Sequence, residues 1–417
     1  MSLVIFNRYK MESKIMYLGQ KIGWSLFNFS LVVICVLSVS CQNAQETRFL
    51  SFGTSPIGGT FPVVGGALAE ILNSHRGMNQ WKVQIKGSKG SQENIRRLNS
   101  GEFQLGMCNS AISYFASRGE SSWRDEGAYN IRAVCTLAPL VAMFVTKREA
   151  GIRTIGQLRD KRVVLGPAGA GFEMFVIPIL EAHGVGRNTF TPLFSPQGSA
   201  VDMLRDGSAD AAFLGGALPA QAIIQATASL DVFVVPYDPR VRTKLIQQYD
   251  FFKPIPHALV KSRYGEILHY EEEDRINKME REELLSFVQQ EKLSVKEIEG
   301  LKLKALRKAV INARFGWLNV GSMQVITNEN VDKNLIKKIL KVFWVNRCEL
   351  AKRHPALGFL NPKTIVLGNE KRLLQGAFFY TGIKFHDGAI EFFNENSEIR
   401  VRPNRRNVFP DTLFKGI

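Results

Sequence analysis

The stretch Arg48 to Ser74, RFLSFGTSPIGGTFPVVGGALAEILNS, constrains the fold more than any other part of this chain. Phe49, Leu50 and Phe52 make a short apolar run of the kind a buried strand uses. Gly53, Gly58 and Gly59 follow, with Thr54, Ser55 and Thr60 among them. Apolar residues then recur at helical spacing: Val64, Ala67, Leu68, Ile71 and Leu72. The order is strand, glycine-rich loop, helix. Glycines let a backbone approach a ligand closely, and the first turn of a helix offers unpaired N–H groups to an anion. The plain alternative is a tight turn with no ligand. The loop also nearly fits a nucleotide P-loop, but Gly59 occupies the place of the phosphate-binding lysine. A small carboxylate, which needs less charge, fits better.

The device recurs. Arg162 to Leu165 reads as a strand, Gly166 to Gly171 as a glycine-rich loop, and Phe175, Ile179 and Leu180 as the face of a helix. Between the two units lie a strand at Trp81 to Lys86 and a loop, Gly87 to Ser91, that opens a helix with Asn94, Ile95 and Leu98. A further strand, Phe103 to Met107, ends at Cys108-Asn109-Ser110. Ile131 to Leu137 and Val141 to Thr146 read as two strands parted by Ala138-Pro139, a pair suited to crossing between lobes. Ala209 to Leu214 is a strand ending at Gly215-Gly216. Alternating strands and helices predict an α/β fold with largely parallel sheets. In such sheets ligands sit beyond the carboxyl ends of strands, where every one of these glycine clusters falls.

The formal charge is +16, but the basic residues are dispersed, with no Arg-rich arm or zinc-finger spacing; nucleic acid is not an expected partner. Cys35, Cys41, Cys108, Cys135 and Cys348 form no C-x-x-C pair, and the six histidines show no H-E-x-x-H. No metal, cofactor or catalytic set is expected. Cys108 and Ser91 have no identifiable base.

Arg8, Lys10, Lys14 and Lys21 precede an apolar run at residues 24–40 that ends in small residues. This predicts an export signal over 1–41, with Met11 or Met16 as alternative starts. Cys41 after Ser40 resembles a lipoprotein cleavage box, although Ser38 stands where leucine is usual. Lipid attachment at Cys41 is therefore expected, with simple cleavage as the alternative. Residues 264–308 break the α/β pattern with charges of both signs at helical spacing, which predicts a solvated helical excursion whose removal leaves the cleft intact. Asn330 to Arg353 reads as one amphipathic helix, and Asp387 as the cap of a last helix reaching Asn394.

Four segments, in order, resemble the solute receptors of tripartite ATP-independent periplasmic (TRAP) transporters, in the subgroup called TAXI. They are FGTSPIGGTFPVVGGALAEILN, GSKGSQENIRRLNSGEFQLGM, TIGQLRDKRVVLGPAGAGFEM and FHDGAIEFFNE. The resemblance covers most of 48–260 and 320–396. It implies a two-lobed periplasmic-binding-protein clamshell, type II-like, that closes on a small organic acid or amino acid and passes it to a membrane permease. Lobe 1 would span 47–138, lobe 2 139–260, the charged insertion 261–315, and the return to lobe 1 316–417. The resemblance places Thr54, Ser55, Gly58, Gly59, Thr60, Phe61, Ser91 and Asn94 in the first wall. Asn109 ends the third strand beside them. Gly169, Ala170, Gly171 and Phe172 form the second wall, with Gly215 and Gly216 at the strand end nearby. Ala170 and Phe172 stand where the family commonly has Ser and Thr, and Ala111 where it often has Asp. Fewer hydroxyls and an added aromatic imply a ligand more apolar than glutamate. A ligand sensor for a signalling partner, or an enzyme on the same fold, are the competing readings.

Overall fold

The computed structural model describes residues 47–56, 59–76, 80–295, 298–360, 365–366, 373–374 and 382–396. The export segment, Cys41 and Gly58 lie outside them. The first part of the chain runs β1 (Arg48–Gly53), α1 (Thr60–Ser74), β2 (Trp81–Lys86), α2 (Ser91–Asn99), β3 (Leu105–Asn109) and α3 (Ser110–Ala116). Then come β4 (Ile131–Lys147), β5 (Arg162–Val164), α4 (Glu173–Ala182), β6 (Thr191–Leu193), α5 (Gln197–Asp206), β7 (Ala211–Ala217), α6 (Gln221–Ser229) and β8 (Val232–Val235). The remainder is α7 (Pro239–Gln248), β9 (Phe252–Ile255), α8 (His257–Tyr264), α9 (Glu271–Lys278), α10 (Arg281–Gln290), α11 (Leu303–Phe315), β10 (Trp317–Asn328), α12 (Lys333–Val345), α13 (Arg347–Arg353) and α14 (Asp387–Glu395).

The apolar faces read from the sequence are the buried ones. Leu50 and Phe52 are fully buried in β1, while Phe49 points outward. Val64, Leu68, Ile71 and Leu72 bury one side of α1. The strands follow one pattern twice. In the first lobe the order is β2-β1-β3-β10-β4, with β1 parallel to β3 and β10 antiparallel to β3. In the second it is β6-β5-β7-β4-β8, with β5 parallel to β6 and β7, and β4 antiparallel to β7 and β8. Each lobe thus borrows an antiparallel strand that also runs through the other. The sheet is mixed rather than largely parallel, because these two long strands occupy its centre. This is the type II periplasmic-binding-protein arrangement, mixed α/β.

The crossing strand β4 is continuous over 17 residues. It does not break at Ala138-Pro139. Pro139 has no N–H to give to a ladder, and the chain accommodates it with register shifts opposite β10, where Pro139 faces Ser322. The predicted helix at 330–353 is two helices, α12 and α13, divided at Asn346, whose side chain bonds back to the Val342 carbonyl at 2.8 Å. The last helix is capped by His386, not Asp387. Its Nδ1 accepts the Gly388 N–H at 3.1 Å. Burial holds that ring below its ordinary titration range, and so neutral, as an accepting nitrogen requires.

The charged segment departs most from expectation. Most of its charges face out, Glu273 being a buried exception, but α9, α10 and α11 enclose a second core of Tyr270, Ile276, Met279, Leu284, Phe287, Val288, Leu306, Val310 and Phe315. That core is joined to the second lobe. Tyr270 donates to the Val234 carbonyl at 3.0 Å and meets Phe233 edge to face. Arg242 of α7, buried, donates to the Gly316 carbonyl at 2.5 Å and to the Ala313 carbonyl. The segment is a packed subdomain, not an excursion.

Candidate ligand site between the lobes

The glycine-rich loops meet at a seam. A Cβ built on Gly90, just before α2, would stand 3.9 Å from Ala170. One built on Gly171 would stand 2.9 Å from Ile112 Cδ1 and 3.2 Å from Gln92 Cγ, across the seam. One on Gly216 would stand 3.4 Å from Thr60 Oγ1. The lobes are closed on one another at these points, and a glycine stands at each close approach.

Three helix N-termini end along the seam: α1 after Gly59, α2 after Gly90 and α4 after Phe172. None has a side-chain cap. Their first-turn N–H groups and helix dipoles therefore bias the seam toward negative charge. Ser55 and Thr60 are half-buried beside Gly59. Phe61 is half-buried and packs on the main core.

Four polar side chains expected to face the ligand are instead spent on the protein backbone. Asn94 is fully buried, and its amide nitrogen donates to the carbonyls of Thr54 at 2.7 Å and Met107 at 2.8 Å. Its Oδ1 lies against Gly53 with no hydrogen bond among the described residues, and an acceptor there does nothing for a carboxylate. Thr54 is buried, with its hydroxyl donating to the Lys86 carbonyl. Ser91 Oγ accepts the Asn109 N–H at 3.0 Å. Asn109 caps α3, accepting the Ala111 N–H at 2.7 Å. These residues pin the strand ends that carry the loops.

In the second lobe, Gly169 is exposed and Ala170 buried. The Phe172 ring packs back on Gly166 and Phe175, 5.2 Å between ring centres, within its own lobe. Gly215 is a sheet residue rather than a wall. A Cβ there would fall 2.4 Å from Ala142 Cβ, and its N–H goes to Gln197 Oε1 at 2.8 Å. Gly216 does face the seam.

Sequence reasoning missed a buried polar layer beside the paired strands β4 and β10. Ser110 Oγ accepts the Ser322 N–H at 2.7 Å, Asn319 Oδ1 the Leu140 N–H at 3.2 Å, and Ser113 Oγ lies 3.1 Å from Gln324 Oε1. All are buried. The available signal was the run of polar residues inside an apolar strand, Asn319, Ser322 and Gln324. Gln92 and Ile112 carried no signal at all. Burial pushes the Cys108 thiol up to about 12, which removes the thiolate a nucleophile needs.

Several solved binding proteins are similar to this chain at low identity. The periplasmic aliphatic sulphonate binding protein SsuA from Escherichia coli shares 13% identity at a TM-score of 0.36, covering 72% of this chain and 88% of that one. The alkanesulfonate-binding SsuA from Xanthomonas axonopodis pv. citri, bound to MOPS, shares 15% at 0.34, covering 76% and 98%. A putative L-cystine ABC transporter protein from Listeria monocytogenes shares 14% at 0.38, covering 75% and 96%. Residues 52–262, from the first glycine loop through the second lobe, match the NMT1-like family, so that just over half of the chain lies within the match. The chain belongs to the NMT1-like family.

Proposed function

We propose that this protein is an extracytoplasmic solute receptor that closes on a small carboxylate and delivers it to a TRAP-type permease, as its TAXI-like segments imply. The observation that carries the carboxylate is the convergence of three helix N-termini without side-chain caps on one seam, from both lobes. The donors are backbone N–H groups in the first turns after Gly59, Gly90 and Gly171, with the hydroxyls of Ser55 and Thr60. Gly58, outside the described residues, belongs to the same loop. Ala170 and Phe172 favour a ligand with an apolar portion over glutamate. The buried Cys108 supports binding over catalysis.

The first lobe holds the partly exposed hydroxyls, so Thr60→Val is expected to weaken binding. A hydrogen bond to a charged group is worth about 1.5–3 kcal/mol, or roughly 10- to 150-fold. The ligand is to be released from purified protein, identified by mass spectrometry and titrated calorimetrically. Wild-type affinity in a folded Thr60→Val variant would sink the assignment of this loop.

Among the described residues no helix is long and apolar enough to cross a membrane. Export and anchoring therefore rest on the N-terminal segment, with Cys41 as the lipid attachment point. Wild type is expected to partition into detergent and Cys41→Ala to stay in the aqueous phase. If both stay aqueous, there is no lipid anchor at Cys41.

A further inference from the structure

Away from the seam, α8 of the second lobe and the inserted helices α9 and α11 line an open cavity of about 700 Å³. Small-molecule sites run from about 300 to 1,000 Å³. The cavity floor is buried and polar: His257 is 1% exposed and Glu273 8%. Trp317 Nε1–H donates to His257 Nδ1 at 3.3 Å, so the neutral ring carries its proton on Nε2. Burial keeps that ring below its ordinary range against the pull of Glu273. The Nε2 atom is 3.4 Å from Glu273 Oε2 and makes no hydrogen bond among the described residues. The donor is closed off from the opening and faces the carboxylate.

Charge on the walls is mainly positive. Lys261 Nζ reaches Glu273 Oε2 at 2.8 Å. Lys304 and Lys308 lie one turn apart on α11 and both line the opening. Arg307 lies between them, but its Nε and Nη2 are committed to the Met279 carbonyl at 2.9 and 2.7 Å. The cavity therefore offers the ammonium groups of Lys304 and Lys308, the Lys261–Glu273 ion pair and a second carboxylate, the exposed Glu266. The cations suit an oxyanion. The Glu273 carboxylate suits an oxyanion that keeps a hydroxyl to donate, and repels one that does not.

We propose that this cavity is a second binding site, distinct from the seam, for a small hydroxyl-bearing oxyanion: hydrogen phosphate, or a hydroxylated polycarboxylate such as citrate. Lys304 and Lys308 attract it, and Glu273, held between Lys261 and His257, accepts its hydroxyl. Sulfate, fully deprotonated at neutral pH, lacks that hydroxyl.

The test is calorimetric titration of the full-length protein with inorganic phosphate, citrate and sulfate in a buffer free of other oxyanions. Phosphate or citrate is expected to bind, and which of them does identifies the source. Sulfate is expected to bind at least tenfold more weakly. The exposed pair Lys304→Ala/Lys308→Ala is expected to weaken the bound anion at least tenfold. Glu273→Gln, whose amide can donate, is expected to bring sulfate within about threefold of phosphate or citrate. Thr60→Val, in the seam, is expected to leave this anion's affinity unchanged. The proposal is overturned if neither anion binds, if sulfate binds equally to wild type, or if the lysine pair has no effect. Loss of anion binding in Thr60→Val would overturn it too, by placing the anion in the seam.

Discussion

Deleting residues 268–300 and bridging the gap with a short linker is expected to unfold the protein rather than leave a working receptor. The deletion removes Tyr270, Ile276, Met279, Leu284, Phe287, Val288 and Leu293 from the second core. It strips the cover from Leu306, Val310, Ile311 and Phe315, all buried in α11. Each side chain returned to water costs about 1.5–3 kcal/mol, or roughly 6–12 kcal/mol together. That rivals the whole stability of an ordinary domain, about 5–15 kcal/mol. The damage does not stay local. Helix α11 leads directly into β10, which runs through both lobes, and Arg242 clamps that junction at the Ala313 and Gly316 carbonyls. Circular dichroism and size-exclusion chromatography check this. A monomeric deletion protein that melts cooperatively and still carries its ligand would show that the inserted core is dispensable.

Gly171→Val is expected to hold the lobes apart and lower ligand affinity by at least ~100-fold, about 2.7 kcal/mol. The built Cβ already lies 2.9 Å from Ile112 Cδ1 and 3.2 Å from Gln92 Cγ, both across the seam. Valine's two methyls add to that overlap. The backbone φ of +88° adds strain of about 1–2 kcal/mol for any L side chain, and more for a β-branched one. Gly169→Ala is the control. Its φ is +72°, yet nothing lies within 4 Å of its Cβ position. It should lose about 1–2 kcal/mol of stability from strain alone and keep its affinity. Small-angle scattering should show a larger radius of gyration for Gly171→Val with ligand present. An unchanged radius and wild-type affinity would mean the closed seam is not the binding geometry.

What could be read from the sequence was what depends on near neighbours in the chain. The run Leu50–Phe52, the glycines and the spacing Val64, Leu68, Ile71, Leu72 specify strand, loop and helix by local sterics and one-sided burial. The same holds for the second unit at 162–180. Two such units in one chain were enough for a two-lobed α/β fold. The inserted core was legible in principle, since Ile276, Leu284, Phe287 and Val288 stand among the charges. Charges are the more numerous in this stretch, although the apolar residues decide what packs.

What only the tertiary structure decided was the use of each polar group. Asn94, Ser91, Asn109 and Thr54 have the residue types of an anion site and stand at the right loop ends. Their partners, the Met107 carbonyl, the Asn109 N–H, the Ala111 N–H and the Lys86 carbonyl, come mostly from strands distant in sequence or from a newly formed helix end. A buried backbone group must be paired, and the nearest side chain is taken for that before any ligand. The continuity of β4 through Pro139 is of the same kind, since only pairing with β10 makes it one strand. So is the meeting of Gly171 with Ile112 and Gln92. Sequence determines which loops can approach closely; the packing of two lobes on shared strands determines what they approach.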